Sequence, residues 1–466
     1  ATRVKIFMAS EKPFVEKTAM RTIAVGLLGF GLLSSCCCDK IETYSDGKYL
    51  PDFHQQYFSN EIDLLESNQL SLFVDYSTCN VLGQHSPFFQ ALVPSWVDAT
   101  KCFYSIKGDT IKEENGSTYE LLKSIQEVNY ADLKGAVNKM SELDRESALL
   151  TDGEYYRKTI ARGGVTDPYM ADGLRKWLLR GHDIYFISEP YKEPHPYPNG
   201  QLYNKKRFYI LFTDSRLRGN IYDRITQTVK LDSFPEVEIF HLSADHPSLM
   251  VERGNSTTPN QNLTASVKCF GNFEIQDWPI SWDAIETLIV NAVDPTSGEP
   301  LKYGEAFTKG LKIDRNSFGG FRIADVSAKV YDINQEYTDF ANTKDAGGKI
   351  TTSKITPAAY QNFVVLDSTE FQNHGTVNLH FDTPMYNPSI LTGCPFNYFK
   401  IDINISNVQN TFSKYEKWFE FDSIDMLGEK NVSVAESIKQ CLADPDIKSK
   451  LFDTPVYSIY VKSPER

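Results

Sequence analysis

This sequence predicts an α/β fold, a doubly wound and mostly parallel sheet followed by a β-rich, β-sandwich-like region. Three observations carry that expectation. Between about residues 66 and 246, short apolar runs alternate with segments of helical spacing, the pattern of a parallel sheet with helices on both faces. From about 247 to the end, helical spacing nearly vanishes and apolar-polar alternation recurs between turn-rich stretches, as in β-sandwich modules. The chain has 466 residues, 41% of them hydrophobic, enough for two or three domains with sizeable cores.

Each element follows from its local pattern. Leu70 to Val74 is an apolar run that ends in Asp75. Phe88 to Asp98 has helical spacing, with Pro94 expected to kink or shorten it. Cys102 to Ile106 reads as a strand, and Tyr119 to Val128 and Tyr130 to Leu143 as helices. Ser147 to Leu150 is a short buried strand before Thr151-Asp152-Gly153. Pro168 to Leu179 is expected to be a helix, with Asp167 as N-cap, Pro168 in first position and Gly181 as its stop. Ile184 to Ile187 and Phe208 to Phe212 are further apolar strands. The Pro-, Tyr- and Asn-rich segment between them leaves no room for a helix, so an antiparallel hairpin is expected. Ile221 to Val229 is helical, and Val237 to Leu242 closes the series. In the second region, strands are expected at Ala265 to Phe270, Thr287 to Val290, Phe321 to Tyr331, Phe363 to Leu366, Val377 to Phe381, Phe399 to Ile405 and Val456 to Val461. One helix, about Val434 to Ala443, interrupts them, and no internal repeat of fixed period is visible.

The N-terminal segment carries a separate signal. Ile23 to Leu33 is an apolar run behind Arg21. It is too short for a bilayer, which needs ~20 residues, and reads as the h-region of a signal peptide. Met20, directly before Arg21, is where translation of such a leader would begin. Leu33-Ser34-Ser35-Cys36 resembles a bacterial lipobox. The resemblance implies cleavage after Ser35 and lipidation of Cys36, with residues 36–65 as a tether. Asp39, Lys40 and Glu42 resemble the surface-export signal of Bacteroidota lipoproteins. Asp109-Thr110-Ile111, Asp367-Ser368-Thr369 and Asp422-Ser423-Ile424 match the short O-glycosylation pattern of envelope proteins in that group. The implied location is the cell envelope, lipid-anchored at the outer membrane, facing the periplasm or exposed at the surface.

Composition excludes several classes. The net charge is −13, and residues 1–35 carry five basic and two acidic side chains, so their removal leaves −16. Nucleic-acid binders need basic patches, and adhesion to anionic lipid needs basic clusters; neither suits this chain. Membrane attachment is expected through the acyl chains on Cys36, two or more of which anchor stably. The other cysteines, at 37, 38, 79, 102, 269, 394 and 441, form no CxxC pair and no metal-ligand spacing. An envelope compartment permits disulfides, but nothing dictates a pairing. Cys79 and Cys102 are expected at opposite ends of neighbouring parallel strands, beyond the ~6 Å reach of a disulfide. Cys79 and His85 lack an orienting third residue, so Cys79 reads as a buried thiol. The eight histidines form no HExxH or HxxxH, and neither GxxxxGK[ST] nor GxSxG occurs. Tyr191, His195, Tyr197 and Tyr203, in the loop from Pro190, either stack on a carbohydrate or dock a protein, or pack the loop onto its own domain.

Leu70-Ser71-Leu72-Phe73-Val74-Asp75-Tyr76-Ser77-Thr78-Cys79 resembles the first strand of the von Willebrand factor A-type family, which ends in DxSxS. Ser147-Ala148-Leu149-Leu150-Thr151-Asp152-Gly153-Glu154 resembles the family's later strand, ending in TDGE. Asn129 to Val137 occupies the place of the family's threonine loop and following helix. The resemblance covers about 180 residues (66–246). It implies three loops converging at the carboxyl edge of a parallel sheet, where one divalent cation, usually Mg²⁺, sits in an octahedral oxygen shell. An acidic side chain of a protein partner would complete that shell. Ser77 would be a direct ligand, with Asp75 and Asp152 accepting from metal-bound waters. Thr78, Asp132 and Glu154 would line the ligand-binding face. Two positions depart from the pattern: Cys79 replaces the second serine with a soft thiol, and Ala131 stands at the threonine. The competing reading gives Asp75 and Asp152 the task of capping helix starts and satisfying loop amides. The expected function is that of a non-enzymatic envelope lipoprotein binding a protein partner through a degenerate metal site. The alternatives are a structural subunit of an envelope or secretion assembly, or a surface carbohydrate-acting hydrolase using Asp75 and Asp152 as acid and base.

Overall fold

The first sheet grows from the apolar runs. Its strands are β1 (Glu66–Asp75), β2 (Thr100–Lys107), β3 (Thr110–Glu114), β4 (Arg145–Thr151), β5 (Asp183–Pro194), β6 (Leu202–Thr213) and β7 (Glu238–Ser243), in the order β3-β2-β1-β4-β6-β5-β7. They belong to a computed structural model that describes residues 47–59, 65–77, 80, 86–124, 128–155, 164–194, 202–244, 251–253, 266–281, 284–285, 293–294, 296–299, 306–308, 310–316, 320–352, 354–360, 362–381, 397–423 and 429–464. Cys36, the leader, Thr78, Cys79, His85, His195 and Tyr197 lie outside the described residues, as does the strand expected at Thr287 to Val290.

The sheet is mixed, which corrects the expectation of a mostly parallel one. Only β1 is parallel to its neighbours, β2 and β4. The pairs β2/β3, β4/β6, β6/β5 and β5/β7 are antiparallel. Connection length is the cause. Gly108 and Asp109 alone join β2 to β3, and Gly108 takes φ +57, so the chain reverses in a two-residue hairpin. β5 and β6 pair as the expected long hairpin.

Helices cover both faces, as expected. On one, α2 (Pro87–Val97) and α6 (Ile221–Thr228) bury Phe88, Leu92, Trp96, Ile221 and Ile225 against Leu72, Val74, Leu150 and Leu211. On the other, α4 (Leu133–Ser141) and α5 (Ala171–Leu179) bury Leu133, Val137, Leu174 and Trp177 against Phe73, Leu149 and Ile210. The odd-even split of β1 and β4 residues between the two clusters is the period-two alternation of a strand. α2 contains Pro94 and begins at Ser86, whose Oγ accepts from Phe89 N at 3.0 Å. A short α3 (Thr118–Lys123) covers part of the segment expected to be helical to Val128. α5 starts at Ala171 rather than at Pro168. Asp167 and Pro168 sit in turns whose carbonyls accept from Tyr169 N and Ala171 N at 2.8 and 3.0 Å. Gly181, at φ +91, stops the helix as expected.

The second region is β-rich. Strands β8 (Val251–Arg253), β9 (Ser266–Cys269), β10 (Phe273–Asp277), β11 (Leu311–Ile313), β12 (Phe321–Asp332), β13 (Ala358–Ala359), β14 (Val364–Leu366), β15 (Leu379–Phe381), β16 (Tyr398–Asn410), β17 (Phe421–Asp422), β18 (Lys430–Asn431) and β19 (Pro455–Lys462) alternate with helices. Among the described residues they make one six-stranded sheet, β13-β12-β16-β19-β10-β9, and three two-stranded ribbons, rather than two facing sheets. Helices supply cover that a second sheet would otherwise give. α7 (Asn334–Asp345), α8 (Ser368–His374), α9 (Ser433–Ala443) and α10 (Pro445–Asp453) bury Phe340, Phe371, Ile438, Ile447 and Leu451. Part of the expected tether is also structured. α1 (Leu50–Tyr57) buries Phe53 against Tyr337 and Phe340 of α7.

Residues Gly47–Arg466 form one compact unit. One continuous core cluster runs from Phe73, Leu149 and Trp177 to Phe419, Val434, Ile403 and Val456. Polar links reinforce it: Met170 N donates to Ser437 Oγ at 3.1 Å and Arg175 Nε to Asp444 Oδ2 at 2.9 Å. Among the described residues, no helix is long and apolar enough to cross a membrane.

Candidate functional site: a buried acidic cluster

The chain leaves β1 toward β2 on one side and returns to β4 on the other, so the strand order reverses between β1 and β4. In open α/β sheets the crevice at the carboxyl ends of such strands is where ligands bind. Asp75 ends β1 and Asp152 follows β4, so both carboxylates stand at that edge. The third expected loop reaches the same edge through its backbone. Val128 N donates to Tyr76 O, Gly108 N to Tyr130 O and Asp132 N to Gly108 O, each at 2.8 Å.

Asp75 is fully buried and held from two sides. Its Oδ1 accepts from Ser77 N at 2.7 Å, and its Oδ2 from Thr151 Oγ1 at 2.7 Å. Its backbone carbonyl accepts from Asn80 Nδ2 at 2.6 Å. Asp152 Oδ1 accepts from Glu154 N at 2.9 Å, and Thr151 Oγ1 from Gly153 N at 3.0 Å. The aspartates therefore satisfy amides two residues ahead, the loop-bracing role the competing reading gave them. Glu154 forms a buried ion pair with Lys205. Tyr169 OH closes the cluster by donating to Gly153 O at 3.0 Å.

Burial pushes the Asp75 carboxyl above the usual carboxylate range, opposed by the Ser77 and Thr151 hydrogen bonds. Burial pushes Asp152 well above it, and the negative charges of Asp75 and Glu154 add to that rise. Two carboxylates this close, in a dry site, favour keeping a proton. Tyr169 is likewise driven well above its ordinary value, by burial and then by Asp152 and Asp75.

Lys205 and Arg207 were invisible as site residues in the sequence. Both belong to β6, which runs antiparallel to β4, so its first half passes the carboxyl end of β4. Lys205 meets Glu154 there, and Arg207 donates to Asn80 O at 3.2 Å. The run Lys205-Lys206-Arg207 reads as solvated in isolation; only Tyr203 and Phe208 on either side hint at burial.

The structure thus brings Asp75, Ser77, Asp152 and Glu154 together and gives Asp132 a different task. Asp132 is the N-cap of α4, with Oδ1 accepting from Gly135 N at 3.0 Å. The donor set fits a hydrated Mg²⁺ shell only in part: Ser77 Oγ is buried with no hydrogen-bond partner among the described residues, but the aspartates are otherwise engaged. Both Asp75 oxygens are committed to internal donors, and the Lys205 ammonium already supplies positive charge to the carboxylates. Among the described residues, no group of three or more His, Cys, Asp or Glu side chains is disposed to hold a metal ion. Chemically, the cluster raises the affinity of its two aspartates for a proton and fixes three loops.

No family model, curated protein or solved structure matches this chain. The von Willebrand A resemblance therefore rests on its sequence motifs alone.

Proposed function

We propose that the chain is a non-enzymatic, lipid-anchored envelope protein that captures a protein partner at the loop edge of a von Willebrand A-like domain. The observation that supports this reading is the convergence of three loops, 75–77, 128–132 and 152–154, where the strand order reverses. Asp75, Ser77 and Asp152 act from beneath, holding the loops in the shape the partner meets. Lys205 takes the place of a divalent cation, so capture does not need Mg²⁺. Cys36 carries the anchor, and the outer membrane is its site.

The test is affinity capture from envelope extract with the full chain, followed by quantitative binding to whatever partner is recovered. Asp75→Ala and Asp152→Ala are expected to weaken capture at least tenfold while circular dichroism stays unchanged, and chelator is expected to have no effect. Capture that survives both substitutions in folded protein overturns the site assignment. Capture abolished by chelator overturns the role given to Lys205.

A further inference from the structure

A second polar constellation lies in the β-rich region, in a cavity of about 260 Å³ lined by residues of α1, β12, β16 and β19. Its floor is one face of the sheet. Lys400 and Asp402 are two apart on β16 and so share a face; Tyr460 and Ser458 lie opposite them on β19. Lys400 Nζ donates to Asp402 at 2.8 Å, and Ser458 Oγ donates to Asp402 Oδ1 at 2.6 Å. The Lys400 side chain is only 2% exposed. Its ammonium stands 3.7 Å from the centroid of the Phe58 ring and 6.0 Å from that of Tyr331. From α1, His54 shares Nδ1 with Tyr460 OH at 2.9 Å. His54 Nε2 is buried and has no hydrogen-bond partner among the described residues.

Burying a charged pair beside an unsatisfied ring nitrogen is costly, and apolar residues of similar volume stabilise a fold as well. Such groups around a cavity make it a candidate binding site. We propose that this cavity binds a small, neutral, polyhydroxylated molecule the size of one sugar ring. Charge selects the class. Lys400 and Asp402 neutralise each other, an anion would meet the carboxylates of Asp402 and Asp453, and a cation would meet the Lys400 ammonium. A hydroxyl both donates and accepts, so neighbouring hydroxyls can accept from Lys400 and donate to Asp402 together. His54 and Phe58 also line the cavity, and the Tyr331 ring offers a flat apolar wall for a C–H face. The volume holds roughly eight waters at ~30 Å³ each, space for a single ring. This site is independent of the loop edge and of the partner proposed for it.

Saturation-transfer NMR on the full chain tests it, with D-glucose, D-galactose and D-mannose as probes and acetate and tetramethylammonium as charged controls. Transfer to at least one sugar is expected, reduced at least tenfold by Lys400→Met and by Phe58→Ala. Should Lys400→Met fail to fold, Phe58→Ala and the exposed Asn272→Ala decide the outcome. Silence from all three sugars overturns the proposal. So does sugar transfer unchanged in the folded variants, or a charged control that binds where sugars do not compete.

Discussion

Burial, with the negative charges of Asp75 and Glu154 beside it, holds the Asp152 carboxyl well above its ordinary value in the folded chain. A buried carboxyl raised above its ordinary value stabilises the fold fully below the unfolded pKa, and that contribution is lost as pH rises through the folded one. Asp152→Asn keeps an oxygen for Glu154 N and removes the charge. The melting temperature of this variant is expected to exceed that of the parent above the ordinary carboxylate range, with a flatter decline as pH rises. Thermal melts by circular dichroism decide it, and a lower melting temperature at the alkaline end would refute the raised pKa. Lys205 is the complementary case. Lys205→Met removes the buried ammonium that pairs with Glu154, at an expected cost of about 3–5 kcal/mol. Adding Glu154→Gln removes the carboxylate charge as well and is expected to restore most of the loss in urea unfolding. If the double variant is as unstable as the single one, the two residues are not coupled.

Elements carry the cluster, and they were unequally legible. β1 and β4 were readable because strands covered on both faces are apolar throughout their middles. Asp75 and Asp152 were readable because each directly follows such a run. β3, Thr-Ile-Lys-Glu-Glu, was not, since an exposed edge strand carries no apolar alternation. α1, Leu-Pro-Asp-Phe-His-Gln-Gln-Tyr, is mostly polar by composition, and only tertiary packing buries Phe53 and His54. Lys205 escaped notice because its partner Glu154 is distant in sequence and reached only through antiparallel pairing. Asp132 shows how one residue supports two readings. As N-cap of α4 it is replaceable by Asn but not by Ala, so Asp132→Ala is expected to cost about 1 kcal/mol and Asp132→Asn only a fraction of that. If Asp132→Asn instead lowers partner capture without lowering stability, its carboxylate belongs to the binding face. Gly153 imposes a second local demand. It sits at φ +76, and a Cβ there would lie 2.8 Å from the Phe208 ring and 3.1 Å from Val434. Gly153→Ala is expected to cost more than about 1 kcal/mol in chemical unfolding, and a neutral effect would mean that the loop shifts freely.

The closeness of Val434 to the space a Gly153 Cβ would fill leads to the scale of the whole molecule, because those residues belong to regions that the sequence separated near residue 247. Phe208 of β6 packs on Phe419 and Phe421, Ser188 Oγ donates to Trp418 O at 2.8 Å, and Val432 N donates to Val165 O at 2.7 Å. One core cluster crosses the boundary without a gap. A fragment of residues 66–246 would therefore expose Phe208, Met170 and Phe240 to water, each a loss of roughly 1.5–3 kcal/mol of burial. That sum is comparable with the whole stability of an ordinary domain, about 5–15 kcal/mol. The full chain is expected to unfold in a single transition, with tryptophan fluorescence and far-ultraviolet circular dichroism coincident. Trp96 and Trp177 report on the first sheet and Trp278 and Trp418 on the second region, so fluorescence samples both. The isolated 66–246 fragment is expected to lack a cooperative melt and to bind a hydrophobic dye. Two separated transitions in the full chain, or a fragment that melts cooperatively, would show that the shared core is an interface between independent folds. Loop-edge geometry would then be a property of the first sheet alone, and Val434 would no longer bear on the shape that Gly153 and Asp152 present.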